Sequence, residues 1–259
     1  MPTFGICGPL SIAPAAKAAG WDYVEGAVQA ILQGDAPDEA WTGEQQVRDL
    51  ALPVEAANML VPGDLKMVGP SVDEARIETY LSRIFPRARK VGMRTLVFGS
   101  GVARMVPEGF DRAQAKEQVV RFARRAGEHA AKADVTLVFE PLNRGECNIV
   151  NSVKEGAEFT AAVNHPNVRC LVDSYHFWLE KEPLSDLAAA MKVIAHVHVA
   201  DEHGRDTPGQ ASTPSDYRAF FRTIKQGGYD GRISVEAPPF KEAQYATALE
   251  FLKREWASA

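Results

Sequence analysis

Short apolar runs alternate with longer stretches of helical character along the whole chain. Each short run is rich in aliphatic and β-branched residues and is almost continuously apolar, as expected of strands that are buried on both faces. The eight predicted strands are Phe4–Cys7, Tyr23–Val28, Pro53–Met59, Thr95–Phe98, Val135–Glu140, Arg169–Asp173, Ala195–Ala200 and Arg232–Glu236. The predicted helical stretches between them include Val72–Gly92, Arg112–Lys132, Ser152–Val163 and Pro214–Gly227.

This alternation of strands and helices predicts a parallel sheet whose faces are covered by helices. The length of 259 residues is compatible with two small domains or with one (β/α)₈ barrel of roughly 250 residues. No Ser/Pro/Gly-rich linker divides the chain, and the GxGxxG fingerprint of dinucleotide-binding sheets is absent after the first strand. We therefore predict an α/β protein with a single (β/α)₈ TIM-barrel domain over residues 1–259, rather than an open doubly wound sheet.

One helix start carries a clear local signal. Asn151 and Ser152 precede the predicted helix, and both residue types are good N-caps. Glu155 follows at the position that a capping box requires. The sequence therefore predicts that this helix begins close to residue 152.

Four of the predicted strands end in a side chain that can bind a metal. Glu140 ends VTLVFE, Asp173 ends VRCLVD, His198 lies in IAHVHVAD, and Glu236 ends GRISVE. The separations of 33, 25 and 38 residues correspond to about one strand–helix unit each, because a barrel spreads roughly 250 residues over eight units. Since the carboxyl ends of the strands carry the active site of such barrels, we expect the four side chains to meet there.

Three carboxylates and one imidazole form a donor set dominated by oxygen. Such a set favours Mn²⁺, Mg²⁺ or Co²⁺ over a structural zinc ion. Arg205, just past His198, is the candidate cation for holding a substrate that develops negative charge. Each acid taken alone could instead cap a helix or form an ion pair with an arginine. Four such side chains at the ends of consecutive predicted strands favour a metal site. His196 points to the same face of its strand as His198 but lies two residues further from the carboxyl end. This position indicates a histidine buried in the core.

Composition restricts the possible partners. The chain is 46% hydrophobic and 24% charged, which is ordinary for a globular protein. Its net charge of −5, without a long basic run, disfavours a nucleic-acid partner. Cys7, Cys147 and Cys170 are odd in number and contain no CxxC pair, which indicates free thiols in a reducing compartment. With no visible secretory signal or apolar stretch of about 18 residues, we expect a cytoplasmic protein without a membrane partner.

Four segments in the second half of the chain resemble a known family. They read Glu140-Pro-Leu-Asn-Arg-Gly-Glu146, Asp173-Ser-Tyr-His176, His196-Val-His198-Val-Ala-Asp with Arg205-Asp-Thr-Pro-Gly, and Ser234-Val-Glu236. Together they resemble the xylose isomerase-like TIM barrels, and more closely the ketose 3-epimerase and hydroxypyruvate isomerase branch, often labelled sugar phosphate isomerase/epimerase. The first half matches mainly in architecture, with Ala-Ala-Gly-Trp-Asp-Tyr-Val-Glu25 resembling the usual entry into the second strand.

The resemblance implies a site and a chemistry. The residues that match the family's metal ligands are Glu140, Asp173, His198 and Glu236, which would hold one divalent ion, with Mn²⁺ expected and Mg²⁺ or Co²⁺ as alternatives. The two glutamates would also exchange a proton of a ketose or small hydroxycarbonyl sugar through a cis-enediolate. The matches that would bind substrate oxygens are Glu146, His176 and Arg205. The resemblance further implies a homodimer or homotetramer.

Three other functions stay open. A lyase of the keto-inositol dehydratase type would begin with the same deprotonation and then expel hydroxide. A phosphodiesterase like endonuclease IV shares the barrel but uses a three-metal cluster with more histidines, whereas no histidine precedes His129 here. A non-catalytic sugar-binding barrel is disfavoured by the two flanking glutamates.

The roles of three further side chains are undecided from sequence. Cys7 ends the first strand and either lines the site or packs as a small apolar group. Arg104 follows a glycine-containing loop after the fourth strand and is a candidate substrate contact. Trp178 either walls the site or packs in the core.

Overall fold

Eight parallel strands close into a barrel in the order of the sequence. The computed structural model describes residues 1–238 and 240–259. The strands are β1 (Thr3–Cys7), β2 (Tyr23–Ala27), β3 (Val54–Asn58), β4 (Thr95–Phe98), β5 (Thr136–Phe139), β6 (Val168–Asp173), β7 (Ile194–Val199) and β8 (Arg232–Val235). Strand β1 closes the barrel on β8, with Thr3 opposite Arg232 and Ile6 opposite Val235. The predicted TIM barrel is therefore confirmed.

Helices connect the strands and cover the barrel. They are α1 (Ala13–Ala18), α2 (Val28–Ile31), α3 (Gly43–Val47), α4 (Glu74–Lys90), α5 (Gly101–Arg104), α6 (Arg112–Ala133), α7 (Val153–Val163), α8 (Ser174–Leu179), α9 (Leu184–Ala190), α10 (Tyr217–Gln226) and α11 (Tyr245–Ala257). The four helical stretches predicted from sequence correspond to α4, α6, α7 and α10 and differ only at their ends. Within the described part of the chain, no helix has the length and apolar composition of a membrane span.

The interior of the barrel has an apolar half and a polar half. Large apolar clusters fill the layer between strands and helices. Inside the barrel, one small apolar cluster consists of Val97, Val138 and Leu171. The polar half is fully buried and consists of Tyr23, Glu25, His196, His198 and Ser234. Because side chains alternate between the two faces of a strand, the polar positions on β2, β7 and β8 all point to the barrel axis.

The start of α7 agrees with its sequence signal. The Ser152 hydroxyl accepts a hydrogen bond from the Glu155 N–H at 3.1 Å. The Glu155 carboxylate accepts a hydrogen bond from the N–H of Asn151 at 2.7 Å. In a capping box it would accept from the N–H of the N-cap residue, which is Ser152 here. Both predicted cap residues therefore take part in starting this helix, which leads out of the site loop.

Candidate metal and substrate site

The carboxyl ends of β5 to β8 bring the four predicted ligands together. Glu140 follows β5, Asp173 ends β6, His198 lies near the end of β7, and Glu236 follows β8. One ligand atom of each residue lies within 4.8 Å of the others. The register explains this, because Asp173 is paired with His198, which in turn is paired with Ser234, two residues before Glu236. The cluster lies at the end of the barrel where (β/α)₈ proteins place their active sites.

His198 faces the acid cluster through its Nδ1 atom. Nδ1 lies 3.4 Å from Glu140 Oε1 and 3.3 Å from Glu236 Oε2. Among the described residues, Nδ1 and Glu140 Oε1 are both buried without a hydrogen-bond partner. Two ligand atoms about 2.1 Å from one ion, at an angle of about 90–110°, lie roughly 3.0–3.4 Å apart. The spacing and the unpartnered atoms therefore fit a divalent cation, and the donor set fits Mn²⁺, Mg²⁺ or Co²⁺.

The four groups have unequal proton affinities. Burial raises the pKa of Glu140, and the neighbouring Glu236 carboxylate raises it further. Burial also raises the pKa of Asp173 to about 6, against the opposing effect of Arg205. At Glu236 burial again favours the neutral acid, but His198 and Arg205 together outweigh it and bring the pKa to about 2. Three carboxyl groups confined in one buried space therefore create a site in which added positive charge is stabilising.

Arg205 supplies part of that positive charge. Its NH2 atom lies 2.5 Å from Glu236 Oε2 and 3.3 Å from Asp173 Oδ2. Its Nε atom donates to the main-chain carbonyl of Glu236 at 3.1 Å, and its guanidinium lies 4.9 Å from the centre of the Tyr175 ring. The backbone of Arg205 has φ of 54°, a left-handed conformation that non-glycine residues adopt rarely. The loop after β7 thus holds this side chain against the acid cluster at some conformational cost.

Asn143 organises two of the residues predicted to bind substrate. Its side-chain amide donates to Nδ1 of His176 at 2.8 Å and to Oε1 of Glu146 at 2.9 Å. Because Nδ1 of His176 accepts, the proton of the neutral imidazole lies on Nε2. Nε2 lies 3.7 Å from Asp173 Oδ2 and is buried without a partner among the described residues. Glu146 Oε1 in turn lies 3.7 Å from Arg205 NH1, so all three predicted substrate-binding residues border the acid cluster.

The sequence pattern did not assign Glu25, Asn58 or Asn143 to the site. Asn58 Nδ2 donates to Glu236 Oε1 at 2.6 Å, and Glu25 Oε1 lies 2.9 Å from Nε2 of His198. Asn58 ends β3, so the rule that found the four ligands would also have indicated it, whereas Glu25 lies in the middle of β2 and falls outside that rule. Asn143 had no comparable signal, because it lies in the loop after β5.

Two residues with undecided roles lie outside the cavity. The expectation that Arg104 contacts substrate is wrong, because its guanidinium is completely buried. It donates to the carbonyl of Glu140 at 2.6 Å and lies 4.3 Å from the centre of the Phe139 ring. Arg104 therefore supports the main chain at Glu140 from behind. Trp178 packs edge-on against Tyr217, with ring centres 4.9 Å apart.

Cys7 does line the site, beside Glu25 and His198. Burial raises the pKa of its thiol well above the usual value, and the Glu25 carboxylate adds to the effect. Because the thiolate is the form that attacks substrates, Cys7 is poorly suited to act as a nucleophile in this environment. Its place on the wall is that of a small packed side chain.

Two adjoining cavities open at this end of the barrel. One, of about 380 Å³, is bordered by Glu140, Glu146, Arg205 and Glu236. The other, of about 550 Å³, is bordered by Cys7, Leu10, Ile31 and Glu236. Both volumes fall in the range of about 300–1,000 Å³ that is common for small-molecule sites. Glu236 borders both cavities, and the acid cluster therefore has direct access to a space of ligand size.

A closed (β/α)₈ barrel with three carboxyl groups and one histidine gathered at its carboxyl end defines the class of this protein. The chain belongs to the xylose isomerase-like TIM barrel family, whose model matches residues 13–255.

The similar proteins include several sugar epimerases. The chain is 32% identical to the L-ribulose 3-epimerase of Methylomonas sp. strain DH-1 over 114 residues, which are 44% of this chain and only 39% of that protein. It is 26% identical to the 3-dehydro-D-guloside 4-epimerase of Escherichia coli K12 over 199 residues, or 73% and 74% of the two chains. The solved D-psicose 3-epimerase with D-tagatose from Clostridium cellulolyticum H10 has a TM-score of 0.83 and 16% identity over 98% of this chain and 99% of that chain. At this identity the structural likeness shows a shared fold.

Proposed function

We propose that this protein is a divalent-metal-dependent isomerase or epimerase of a ketose or small hydroxycarbonyl sugar. The observation that carries the proposal is the convergence of Glu140, Asp173, His198 and Glu236 around one point beside a cavity of ligand size. The names of the similar proteins support the choice of sugar chemistry. The same four residues would hold the ion, with Mn²⁺ preferred and Mg²⁺ or Co²⁺ as alternatives.

The substrate would be held by polar side chains on three sides of the cluster. The guanidinium of Arg205 and the unpartnered Nε2–H of His176 would donate to substrate oxygens, while Glu146 would accept from a hydroxyl. Asn143 fixes the orientation of both His176 and Glu146 before any substrate arrives. This preorganisation lowers the cost of ordering the site on binding.

The chemistry would be proton transfer at a carbon next to a carbonyl. A bound divalent ion would act as a Lewis acid on substrate oxygens. Glu140 follows β5 and Glu236 follows β8, and the ligand atoms of the cluster lie within 4.8 Å of one another. The ionised carboxylate would remove the proton to form a cis-enediolate. The other, which would enter the cycle as the neutral acid, would donate its own proton to carbon, so that the two groups exchange protonation states. Return to the opposite face of the same carbon gives epimerisation, and return to the neighbouring carbon gives aldose–ketose isomerisation.

Glu236 is held more firmly than Glu140. Asn58 donates to one of its oxygens, and Arg205 donates to the other. Glu140 keeps Oε1 free of hydrogen bonds among the described residues. Hydrogen bonds to a carboxylate favour its ionised form and fix its direction, so these contacts would hold Glu236 in place beside a substrate in the adjoining cavity.

The test is a screen in D₂O with Mn²⁺ and a panel of ketoses, keto-inositols and hydroxypyruvate. Products are identified by NMR after the paramagnetic ion has been removed. We expect one substrate to gain deuterium at the carbon next to its carbonyl. Glu140→Gln and Glu236→Gln should each slow the exchange by about 10²–10⁴-fold, whereas Glu128→Gln on the exposed face of α6 should not change it. Full exchange by either site variant would contradict the proposed proton transfer.

The same screen separates the other functions. Loss of water from a keto-inositol would identify a lyase of the dehydratase type in place of an isomerase. Cleavage of a phosphodiester, tested on a DNA duplex with an abasic site, would support a phosphodiesterase like endonuclease IV. Saturable sugar binding without deuterium exchange would indicate a sugar-binding barrel.

Assembly and location are also proposals. We propose a homodimer or homotetramer, as the family resemblance implies, and sedimentation equilibrium would measure this directly. The three cysteines form no disulfide in the described chain, in keeping with the proposed reducing, cytoplasmic location. No nucleic-acid or membrane partner is proposed.

A further inference from the structure

A buried polar network lies directly beneath the acid cluster. Its centre is Glu25, whose side chain is completely buried inside the barrel. Oε1 of Glu25 lies 2.9 Å from Nε2 of His198. Oε2 lies 2.8 Å from Nε2 of His196 and 2.5 Å from the hydroxyl of Ser234. The Ser234 hydroxyl is also 2.7 Å from the hydroxyl of Tyr23, so the network joins β2, β7 and β8 across the barrel.

The directions of these hydrogen bonds follow from the chemistry of the central group. An ionised carboxylate can only accept hydrogen bonds. Ser234 must therefore donate to Glu25 and accept from Tyr23, since its single hydroxyl proton is already used. The Nε2 atoms of His196 and His198 must donate as well. Each histidine donates to a different oxygen of the Glu25 carboxylate. Without these donors, burying the charged carboxylate would be energetically costly.

This arrangement decides which nitrogen of His198 is free. With the proton on Nε2, the lone pair of a neutral imidazole lies on Nδ1. Nδ1 is the atom that faces Glu140 and Glu236 at 3.4 and 3.3 Å. Metal-binding histidines commonly donate their other N–H to a carboxylate, which fixes the ring and its tautomer. His196 and Ser234 occupy the second oxygen, so the carboxylate cannot rotate away from His198.

We propose that Glu25 is a positioning residue that fixes His198 as the Nε2–H tautomer and so presents Nδ1 to the metal ion, with His196 and Ser234 holding the carboxylate in place. This inference rests on the proposed metal site and is independent of the identity of the sugar. It gives a role to His196, which is otherwise a buried histidine one layer below the cluster.

The first test uses the unmodified protein and needs no catalytic assay. Two-bond ¹H–¹⁵N correlation spectra of the ¹⁵N-histidine-labelled protein, loaded with diamagnetic Mg²⁺, report which ring nitrogen carries the proton. We expect a proton on Nε2 of His198 and an unprotonated Nδ1, with the signal assigned through its loss in His198→Asn. A proton on Nδ1 would overturn the proposal.

The second test measures Mn²⁺ affinity by titration calorimetry. Glu25→Gln keeps the size of the side chain but offers one oxygen in place of two, and we expect Mn²⁺ to bind about 10–100-fold more weakly. Glu55→Gln is the matched control, because Glu55 lies on the neighbouring strand β3 and pairs with Arg232 away from the cluster. The control should bind Mn²⁺ with unchanged affinity. Unchanged affinity in folded Glu25→Gln would also overturn the proposal.

A graded series covers the case in which Glu25→Gln does not fold. Ser234→Ala removes one donor to Glu25, and Tyr23→Phe removes only the outer link of the network. We expect Mn²⁺ affinity to fall more in Ser234→Ala than in Tyr23→Phe, because the first change touches Glu25 directly. The reverse order would count against the network. Because affinity and tautomer are read without any sugar, a failure of the proposed sugar chemistry leaves both results interpretable.

Discussion

At the scale of single residues, the position of Glu140 depends on a neighbour that has no side chain. Gly99 directly follows β4, beside the carboxylate of Glu140. A Cβ atom added at Gly99 would overlap Oε2 of Glu140. The backbone of Gly99 lies outside the left-handed region, so the requirement for glycine here comes from space rather than from conformation.

Gly99→Ala should therefore impair catalysis much more than folding. A displacement of about 1 Å at a reacting group can cost roughly 100-fold in rate, and we expect a loss of about that size in deuterium exchange. The unfolding free energy should fall by about 1 kcal/mol, the low end of the usual cost of overpacking, since the carboxylate can move into the cavity.

Gly63→Ala is the matched control for Gly99→Ala. Gly63 borders the same cavity, but an added Cβ atom there would meet only the exposed side chain of Val102. We expect its exchange rate to stay close to that of the unmodified protein. An equal loss of activity in both variants would contradict the proposed contact with Glu140.

At the scale of elements, the loop between β5 and α7 carries three of the site residues, Glu140, Asn143 and Glu146. The side-chain amide of Asn151 donates to the carbonyls of Leu142 and Cys147, both at 2.7 Å. These bonds close the loop on itself just before the helix begins. Because buried carbonyls without donors are costly, Asn151 stabilises the conformation that places Glu146 beside the cavity.

Asn151→Ala should lower stability and also weaken substrate binding. Two unpaired carbonyls predict a loss of about 2–4 kcal/mol in unfolding free energy, measured by urea denaturation. We expect KM to rise because Glu146 loses its fixed position. Ser152→Ala is the comparison, since it removes only the helix cap and should cost about 1 kcal/mol with KM unchanged. If the loop does not position Glu146, KM will be the same in Asn151→Ala and Ser152→Ala.

At the scale of the whole molecule, the proposed metal site would couple ion binding to stability. The four proposed ligands lie at the carboxyl ends of four consecutive strands, so they meet only when the barrel has formed. An ion that binds only the folded state at 100 times its Kd adds about 2.7 kcal/mol of stability. For a protein of this size, that corresponds to a rise in Tm of roughly 5–10 °C.

Thermal unfolding in EDTA and in excess Mn²⁺ tests this coupling. We expect the rise in Tm in the unmodified protein and its loss in Asp173→Asn. The variant is well matched, because Asp173 accepts from the Tyr175 N–H at the start of α8 and asparagine can cap a helix equally well. The same rise in both proteins would show that the ion binds elsewhere.

The barrel and the four side chains that converge at its carboxyl end were predictable because both depend on local pattern. Each strand is a short apolar run. In a parallel barrel the carboxyl ends of all strands lie on the same face, so polar residues at these ends lie close together. The same rule extends to Asn58, which ends β3, but not to Glu25, which lies in the middle of β2. Arg104 shows where local pattern fails. Its loop lies at the carboxyl end of the barrel, but its side chain is buried and contacts the main chain of Glu140 instead of the cavity.

The sequence by itself determined the order of strands and helices, the end of the barrel that carries the site, and the four side chains that meet there. The periodicity of the chain carries that information, since each of these features depends on neighbours within one strand–helix unit. Only the tertiary structure decided the contacts between distant strands. It placed Glu25 between His196 and His198, Asn58 on Glu236, and Gly99 against Glu140, because closing the barrel brings together side chains whose separation along the chain has no pattern.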